Sequence, residues 1–260
     1  MKIGMIGCGN MGAAILNGIY KAHTVCVCEK DKKRAAVLKR KYRVRICDIA
    51  CLAKTCDVIV LAVKPQGMEA VVKQLAASVR AKTLVVSIAA GITTRFLEKH
   101  LPAKTRVVRT MPNMPAQIGR GLTGISKGRN ATAKDVALVR KIFNAVGKTM
   151  ILEEKMMDAF TAVAGSGPAY MFYFAECMTE AAASVGFSEE QAADIISATL
   201  PSSAIQLVEM KDSPANLRKK VTSKGGTTEA GMKVFRNART GKIIEKVVKA
   251  AKKRSTELAR

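Results

Sequence analysis

Short apolar runs alternate with segments of helical apolar spacing over residues 1–152. The first run covers residues 2–7, and the apolar positions between Met11 and Ile19 then follow a helical period, which predicts strand, turn and helix. The same pattern predicts strands over residues 24–28, 44–46, 57–63, 83–89, 106–110, 121–126 and 148–152. It predicts helices over residues 34–42, 94–100 and 134–146. We therefore expect an α/β domain with a mainly parallel sheet and helices on both faces.

The strand pattern stops after Glu153. The remaining sequence is rich in alanine and helical in pattern, with breaks near Gly165, Gly186, Asp212 and Gly225. The predicted structural class thus changes near residue 152, from α/β to all-helical. We expect an α/β domain over residues 1–152 and an all-helical domain over residues 153–260.

Composition supports a globular protein, because 48% of the 260 residues are hydrophobic and 25% are charged. No uncharged apolar stretch approaches the ~20 residues that span a bilayer, so no membrane association is predicted. The first predicted strand leaves no room for a signal peptide, and the cysteine count of seven is odd. We therefore expect a cytoplasmic protein with reduced thiols.

The net charge of +24, from 44 basic and 20 acidic residues, raises nucleic acid as a partner. However, the basic residues are scattered along the chain in runs of at most three, such as Lys252-Lys253-Arg254. No helix-turn-helix, zinc-finger or KH pattern accompanies them. We interpret the charge as a solvated basic surface that also attracts an anionic cofactor, and not as a nucleic-acid site.

The sequence Gly7-Cys8-Gly9-Asn10-Met11-Gly12 completes the pattern G-x-G-x-x-G between a predicted strand and a predicted helix. In this context Gly7 permits the tight turn and Gly9 lets a pyrophosphate approach the backbone. Gly12 lets the helix pack closely on the strand, with the phosphates at the helix amino terminus. The pattern predicts a dinucleotide-binding site.

Glu29 lies about 20 residues further on, just past the second predicted strand. Its carboxylate is placed to accept hydrogen bonds from the adenosine ribose hydroxyls, which favours NADH. The cations that follow it would suit a 2′-phosphate and favour NADPH; they are Lys30, Lys32, Lys33 and Arg34. The sequence leaves the choice between NADPH and NADH open.

The cysteine and histidine positions do not match the sequence patterns of a metal site or of a hydrolytic triad. Five cysteines lie within residues 26–56, but Cys26 and Cys28 alternate with valines in a strand and lack the paired spacings typical of zinc. We predict free thiols and no metal. The two histidines, His23 and His100, occupy loop or helix-end positions, so no Ser/His/Asp triad is predicted and the chemistry would rest on the cofactor.

Five further segments are distinctive in combination with the glycine turn. They are Ala62-Val-Lys-Pro65, Ser87-Ile-Ala-Ala-Gly-Ile92, Arg109-Thr-Met-Pro-Asn-Met-Pro115, Gly165-Ser-Gly-Pro-Ala-Tyr170 and Val221-Thr-Ser-Lys-Gly-Gly-Thr-Thr228. In this order, over nearly the whole chain, the set closely resembles pyrroline-5-carboxylate reductase, the last enzyme of proline synthesis. The resemblance implies reduction of 1-pyrroline-5-carboxylate to L-proline with NADPH or NADH. It also implies an α/β Rossmann-type domain followed by an all-helical dimerisation domain, which forms an intertwined homodimer often assembled into a ring of dimers such as a decamer.

The resemblance also assigns site residues. Those implied for the cofactor are Ile6, Gly7, Cys8, Gly9, Asn10, Met11, Gly12, Ala62, Val63, Lys64, Pro65, Ala89, Ala90 and Gly91. Those implied for the substrate are Glu154, Ser223, Gly225, Gly226, Thr227 and Thr228. Of these, Thr228 is the expected catalytic residue, with its hydroxyl at the ring nitrogen. The local pattern agrees, because two glycines followed by two threonines resemble a helix start whose free N–H groups attract a carboxylate.

Two positions depart from the commoner family form. The usual Asp and Pro of the D-x-V-S/T-S-P-G-G-T segment are Lys219 and Lys224 here. Lys224 adds a mobile cation beside the expected carboxylate pocket. Substrate preference is therefore less determined than reaction type.

Two alternatives stay open on the sequence. A β-hydroxyacid dehydrogenase shares the G-x-G-x-M-G start, but it places a catalytic lysine on the long helix, whereas residues 170–184 contain no lysine. A non-catalytic nucleotide-sensing paralogue would bind cofactor and a partner. The Gly-Gly-Thr-Thr segment speaks against that reading, while Lys224 keeps it open.

Overall fold

The computed structural model describes residues 1–258. The chain divides into two compact units. The first comprises Met1–Pro168 together with the chain from Ala250 onward, and the second comprises Ala169–Lys249. No helix in the described part of the chain is long and apolar enough to cross a membrane.

The first unit is built on an eight-stranded sheet of order β3-β2-β1-β4-β5-β6-β7-β8. Its strands are β1 Lys2–Ile6, β2 Thr24–Cys28, β3 Arg45–Ile46, β4 Val58–Leu61, β5 Leu84–Ser87, β6 Arg106–Met111, β7 Gly121–Lys127 and β8 Gly147–Ile151. Every neighbouring pair is parallel except β6 and β7. The predicted mainly parallel sheet is confirmed.

Twelve α-helices occur in the described residues. Those that begin in the first unit are α1 Asn10–Ile19, α2 Lys32–Tyr42, α3 Ile49–Thr55, α4 Met68–Ala76, α5 Thr94–His100, α6 Ala133–Phe143, α7 Met157–Phe160 and α8 Gly167–Ser184. The others are α9 Glu189–Glu209, α10 Pro214–Lys220, α11 Thr227–Asn237 and α12 Thr240–Leu258. A π-helical turn, Thr161–Gly165, precedes α8.

Helices cover both faces of the sheet because its central strands are apolar on both sides. In β4, Val58 and Val60 belong to one buried cluster, whereas Ile59 and Leu61 belong to another. A strand buried on both faces is typical of parallel sheets. The sheet therefore has a core on each side, and its strand ends are left to form a site.

The second unit is entirely helical in its described elements and buries little of its apolar surface within the chain. Its buried hydrophobic residues are Ala192 and Ile196. Large apolar side chains on α8 and α11 stay exposed, including Phe172, Tyr173 and Val234. This unit needs a partner surface to bury these groups.

The observed sheet ends at Ile151 and only helical segments follow it, as the sequence pattern indicates. The compact units divide later, after Pro168, and the last turns of α12 belong to the first unit. The boundary at residue 152 between independently folding domains stays a prediction.

Candidate cofactor and substrate site

The carboxyl ends of three central strands lie level with one another. Ile6 pairs with Leu61, and Leu61 pairs with Ser87, so the loops after β1, β4 and β5 start side by side. Strands β1 and β4 are neighbours although β2 and β3 separate them in the chain. Ligands of open α/β sheets bind outside the strand ends at such a reversal of strand order.

The glycine turn after β1 has the geometry that its sequence predicts. Gly7 has a φ of +82°, and a Cβ there would lie 2.8 Å from the Ala62 carbonyl oxygen. A Cβ at Gly12 would lie 3.1 Å from the Gly7 carbonyl oxygen, so Gly7 requires glycine and the close packing at Gly12 favours it. At Gly9 the nearest atom to such a Cβ is 4.0 Å away, on the Arg34 side chain. The backbone at Gly9 is therefore open to a ligand.

Gly9 is also the N-cap of α1, and no side chain caps this helix. The first N–H groups of a helix have no partner within it and carry the positive end of the helix dipole. Asn10 and Met11 form its first positions, and Asn10 is exposed. The turn thus fits the pyrophosphate of a dinucleotide.

Glu29 ties the glycine turn to the end of β2. Its carboxylate accepts hydrogen bonds from the backbone N–H groups of Cys8, at 2.9 Å, and Asp31, at 3.0 Å. The Arg34 guanidinium lies 3.9 Å away, and the Glu29 side chain is only 5% exposed. A carboxylate has about four acceptor positions, so capacity remains for a ribose hydroxyl.

Cys8 is buried in the turn. Burial is the main cause, and the Glu29 charge the next, that raises the pKa of its thiol to about 12. The thiol therefore stays protonated at neutral pH and is not a nucleophile. Cys8 acts through its backbone and its packing.

The cations predicted to favour NADPH begin α2. Asp31 caps that helix by accepting a hydrogen bond from the Arg34 N–H at 3.0 Å. Lys30, Lys32 and Lys33 are exposed at the same corner. The structure therefore places the acidic and the basic determinants of cofactor choice at the same corner, just after β2.

The segment after β4 packs against the glycine turn. The Ala62 N–H donates to the Ile6 carbonyl at 2.8 Å, and a Cβ at Gly7 would lie 2.8 Å from a Val63 methyl group. Lys64 is exposed and is the N-cap of a short 3₁₀ turn, Pro65–Gly67. The structure thus brings these predicted cofactor residues together with the fingerprint.

The loop after β5 borders the same edge, and hydrogen bonds at Ser87 hold its start. The Ser87 hydroxyl accepts from the Ala89 N–H at 3.2 Å, and the Ser87 carbonyl accepts from the Thr110 hydroxyl at 2.9 Å. Ala90 is half-buried, and Gly91 takes a φ of +72°. This loop has a fixed shape beside the segment after β4.

A buried ion cluster beside this loop was not predicted from the sequence. Arg109 is 2% exposed, and its guanidinium lies 3.0 Å from a Glu154 oxygen and 3.5 Å from an Asp158 oxygen. Glu154 also accepts from the Thr94 N–H at 3.1 Å. An arginine within the apolar strand β6 is the one local signal for it.

Glu154, predicted for the substrate, therefore also has a structural partner in the first unit. One of its carboxylate oxygens is buried without a hydrogen-bond partner among the described residues, as is one guanidinium nitrogen of Arg109. Buried polar atoms of this kind are costly. They retain capacity for a further polar contact.

The remaining predicted substrate residues lie in the second unit. Gly226 is the N-cap of α11, and Thr227 and Thr228 are its first two residues. Gly225 has a φ of +74°, and its N–H donates to a Glu229 oxygen at 2.7 Å. The predicted helix start is confirmed.

The threonine hydroxyls are available at this helix start. Thr227 and Thr228 are exposed within the chain, and neither hydroxyl is hydrogen-bonded to another described residue. Ser223 closes the preceding turn, because its carbonyl accepts from the Gly226 N–H at 3.1 Å. Lys224 is exposed beside them.

All seven cysteines are free, and they lie within the described residues. Nowhere between residues 1 and 258 do three His, Cys, Asp or Glu side chains come together in a way that could hold a metal ion. The absence of a metal from the reaction stays a prediction.

A Rossmann-type sheet with an open glycine turn at its reversal point is typical of a dinucleotide-binding domain. Residues 2–91 match a family model described as NADP oxidoreductase, coenzyme F420-dependent, which gives the class as a dinucleotide-dependent oxidoreductase. Residues 154–258 match the model for pyrroline-5-carboxylate reductase dimerisation. The pyrroline-5-carboxylate reductase of Mycobacterium leprae is 35% identical over 99% of this chain and 96% of its own length. That of Pseudomonas aeruginosa is 36% identical, with coverages of 99% and 97%. The chain belongs to the pyrroline-5-carboxylate reductase family.

Solved structures agree with this assignment. A pyrroline-5-carboxylate reductase from Coxiella burnetii superposes with a TM-score of 0.92 at 33% identity, covering 99% of this chain and 98% of that one. Pyrroline carboxylate reductase from Plasmodium falciparum, solved with NADP bound, gives 0.88 at 27% identity, with coverages of 100% and 98%. A 3-hydroxyisobutyrate dehydrogenase from Mycobacterium tuberculosis shares only the fold, at 17% identity and a TM-score of 0.52 over 76% of this chain and 70% of that one. The β-hydroxyacid dehydrogenase alternative is not favoured.

Proposed function

We propose that this protein reduces 1-pyrroline-5-carboxylate to L-proline with NADPH or NADH, the last step of proline biosynthesis. The observation that carries the proposal is the open backbone at Gly9, at the free start of α1 and the reversal point of the sheet. It occurs in a chain that matches reductases of this name from end to end. A non-catalytic paralogue would not need the second glycine helix start.

The chain's own residues hold the cofactor in this proposal. Backbone N–H groups of the glycine turn from Gly9 to Gly12, at the start of α1, bind the pyrophosphate, and Glu29 accepts from the adenosine ribose. The segments after β4 and β5 border the nicotinamide; their residues are Ala62, Val63, Lys64, Pro65, Ala89, Ala90 and Gly91. When bound, the reduced nicotinamide supplies the hydride.

The start of α11 receives the substrate. The N–H groups of its first turn and the helix dipole attract the carboxylate, and Lys224 adds a positive charge nearby. Thr228 donates a hydrogen bond to the ring nitrogen, which gains electron density as the imine carbon accepts the hydride and takes up a proton from solvent to become the amine. This carboxylate pocket is shaped by Ser223, Gly225, Gly226 and Thr227. Glu154 is a further proposed substrate-binding residue.

The helical region supports homo-oligomerisation, because its family model is a dimerisation model and its apolar side chains are exposed in the single chain. We extend this to an intertwined homodimer and to a ring of dimers, a decamer. We also place the protein in the cytoplasm, consistent with seven unpaired cysteines in the described chain.

The purified protein tests the function directly. Loss of reduced nicotinamide absorbance should depend on 1-pyrroline-5-carboxylate, and L-proline should accumulate one for one. The control reaction supplies 3-hydroxyisobutyrate with oxidised cofactor and should give no turnover. Cofactor binding without either reaction would instead support the nucleotide-sensing paralogue, and oxidation of the hydroxyacid would support the dehydrogenase.

A further inference from the structure

The last turn of α12 lies directly against the loop that follows β5. A Cβ at Gly91 would lie 2.7 Å from the Leu258 carbonyl oxygen and 3.1 Å from the Leu258 Cβ. Gly91 also has a φ of +72°, a conformation that favours glycine. The approach is therefore close enough that the end of the helix limits where this loop can lie.

A single carboxylate holds that helix end in place. The Ser255 hydroxyl donates to one oxygen of Asp158 at 2.9 Å, and the Thr256 hydroxyl donates to the other oxygen at 3.0 Å. Asp158 is separated in the chain from Ser255 by 97 positions and from Thr256 by 98 positions. Ser255 is buried, so its hydrogen bond is made away from water.

The same carboxylate belongs to the buried cluster around Arg109. The guanidinium lies 3.5 Å from Asp158 and 3.0 Å from Glu154, and Glu154 accepts from the Thr94 N–H just beyond the loop. The loop after β5 is thus enclosed by β5 and β6 on one side and by the helix end on the other. Every residue in this network lies in the first compact unit.

We propose that the last turn of α12 is a positioning element for Ala89–Gly91, latched by Asp158 through Ser255 and Thr256. The inference rests on the proposed function for assigning this loop to the nicotinamide. Hydride transfer depends steeply on the distance and angle of the reacting carbons, so a loop displaced by about 1 Å lowers the rate of the chemical step. The pyrophosphate and the adenosine ribose are held elsewhere, by the glycine turn and Glu29, and do not need the latch.

The test compares variants that remove or keep the latch hydroxyls. Ser255→Ala combined with Thr256→Val should lower kcat roughly 3- to 30-fold and leave the KM for the cofactor within about twofold. Thr256→Ser keeps a hydroxyl and should retain most of the wild-type kcat. The matched control is Ser202→Ala with Ser203→Ala on α9, because those exposed hydroxyls bond only to carbonyls of their own helix.

Hydrogen exchange supplies a readout that does not depend on turnover. Amides of residues 88–93 should exchange several-fold faster in the latch variant than in the wild type or the α9 control, while amides of β1 and β4 keep their protection. Unchanged exchange and kcat would overturn the inference, as would a uniform gain in exchange across the sheet. If the wild type failed to reduce 1-pyrroline-5-carboxylate, the proposed function would fall, and the exchange result would still decide whether the latch holds this loop.

Discussion

At the scale of single residues, Glu29 combines two roles that the sequence presents as one. Its position after β2 predicts that it accepts hydrogen bonds from a ribose, but in the structure its carboxylate also accepts hydrogen bonds from the backbone N–H groups of Cys8 and Asp31. A change at Glu29 therefore affects the glycine turn as well as the choice of cofactor. The two effects separate in kinetics, because only the second distinguishes NADPH from NADH.

Replacing Glu29 with Ala should shift the kcat/KM ratio toward NADPH. The variant loses a charge-assisted hydrogen bond to the ribose of NADH and a repulsion of the 2′-phosphate, on the order of 1–3 kcal/mol together. Steady-state kinetics with both cofactors measures the ratio. Glu29→Gln serves as the control, since it keeps an oxygen acceptor for the turn. Equal losses with both cofactors would show that Glu29 only anchors the turn.

Cys8 gives a pH-dependent prediction. Its pKa rises on folding from 9.0 to about 12, so the folded chain retains a proton that the unfolded chain loses. This stabilisation is complete below about pH 9 and is lost as the pH rises toward 12. Melting at about pH 8 and about pH 10.5 should show a larger loss for the wild type than for Cys8→Ala, by about 1–2 kcal/mol. An equal loss of stability in the wild type and in Cys8→Ala would show that the Cys8 thiol does not cause this pH dependence.

At the scale of elements, the starts of two helices supply the backbone N–H groups of the proposed cofactor and substrate sites. Both α1 and α11 begin after glycine N-caps that make no side-chain cap hydrogen bond. By contrast, α6 begins with a capping box between Thr132 and Asp135. The two glycine starts present free N–H groups, whereas a capped start satisfies them internally.

Thr228 should act at the start of α11 in catalysis, and not only as a helix residue. Thr228→Ala should lower kcat by roughly one to three orders of magnitude while cofactor binding persists, the range for losing a positioned donor. Thr228→Ser should recover much of the loss. Wild-type kcat in both variants, with a lower melting temperature, would leave Thr228 a structural role alone.

All eight strands could be predicted because most of them are short apolar runs between turn residues. Helices α3 and α4 received no prediction. The residues of α3 are mostly apolar or small and show no helical period of apolar and polar positions, and its start depends on Asp48 accepting from the Cys51 N–H. Helix ends and apolar periods are local signals, and short helices under a sheet are fixed by packing.

The candidate site, like the fold, could be predicted only where its residues are close together in the sequence. The glycine turn and the start of α11 are contiguous in sequence, so their residue types reveal them. The cluster of Arg109, Glu154, Asp158 and Ser255 is assembled from β6, the segment around α7, and α12. The arginine within β6 is its one local signal, and no local pattern identifies the side chains that this arginine meets.

At the scale of the whole molecule, the helical unit is the feature that a single chain leaves incomplete. An open groove of about 1180 Å³ lies within it, lined mainly by residues of α8, α11 and α12. Exposed aromatic side chains line it, including Tyr173, Phe174 and Phe235. An apolar surface of this kind is typical of an obligate interface.

The protein should sediment as a dimer or a multiple of dimers at micromolar concentration. Phe174→Glu places a charge in the groove and should shift the population toward smaller or unfolded species, because burying an unpaired carboxylate is costly. Val37→Glu, on an exposed site of α2, is the matched control and should sediment as the wild type does. A wild-type monomer that still turned over substrate would contradict the dimer.

The proposed reaction depends on direct hydride transfer from the nicotinamide to the imine carbon. The measurement is mass spectrometry of proline formed from 1-pyrroline-5-carboxylate and NADPH deuterated at both C4 positions, with unlabelled NADPH as control. We expect one deuterium per proline, bonded to the former imine carbon, and none in the control. Oxidation of the cofactor without deuterium in proline, or cofactor binding with no proline formed, would contradict it.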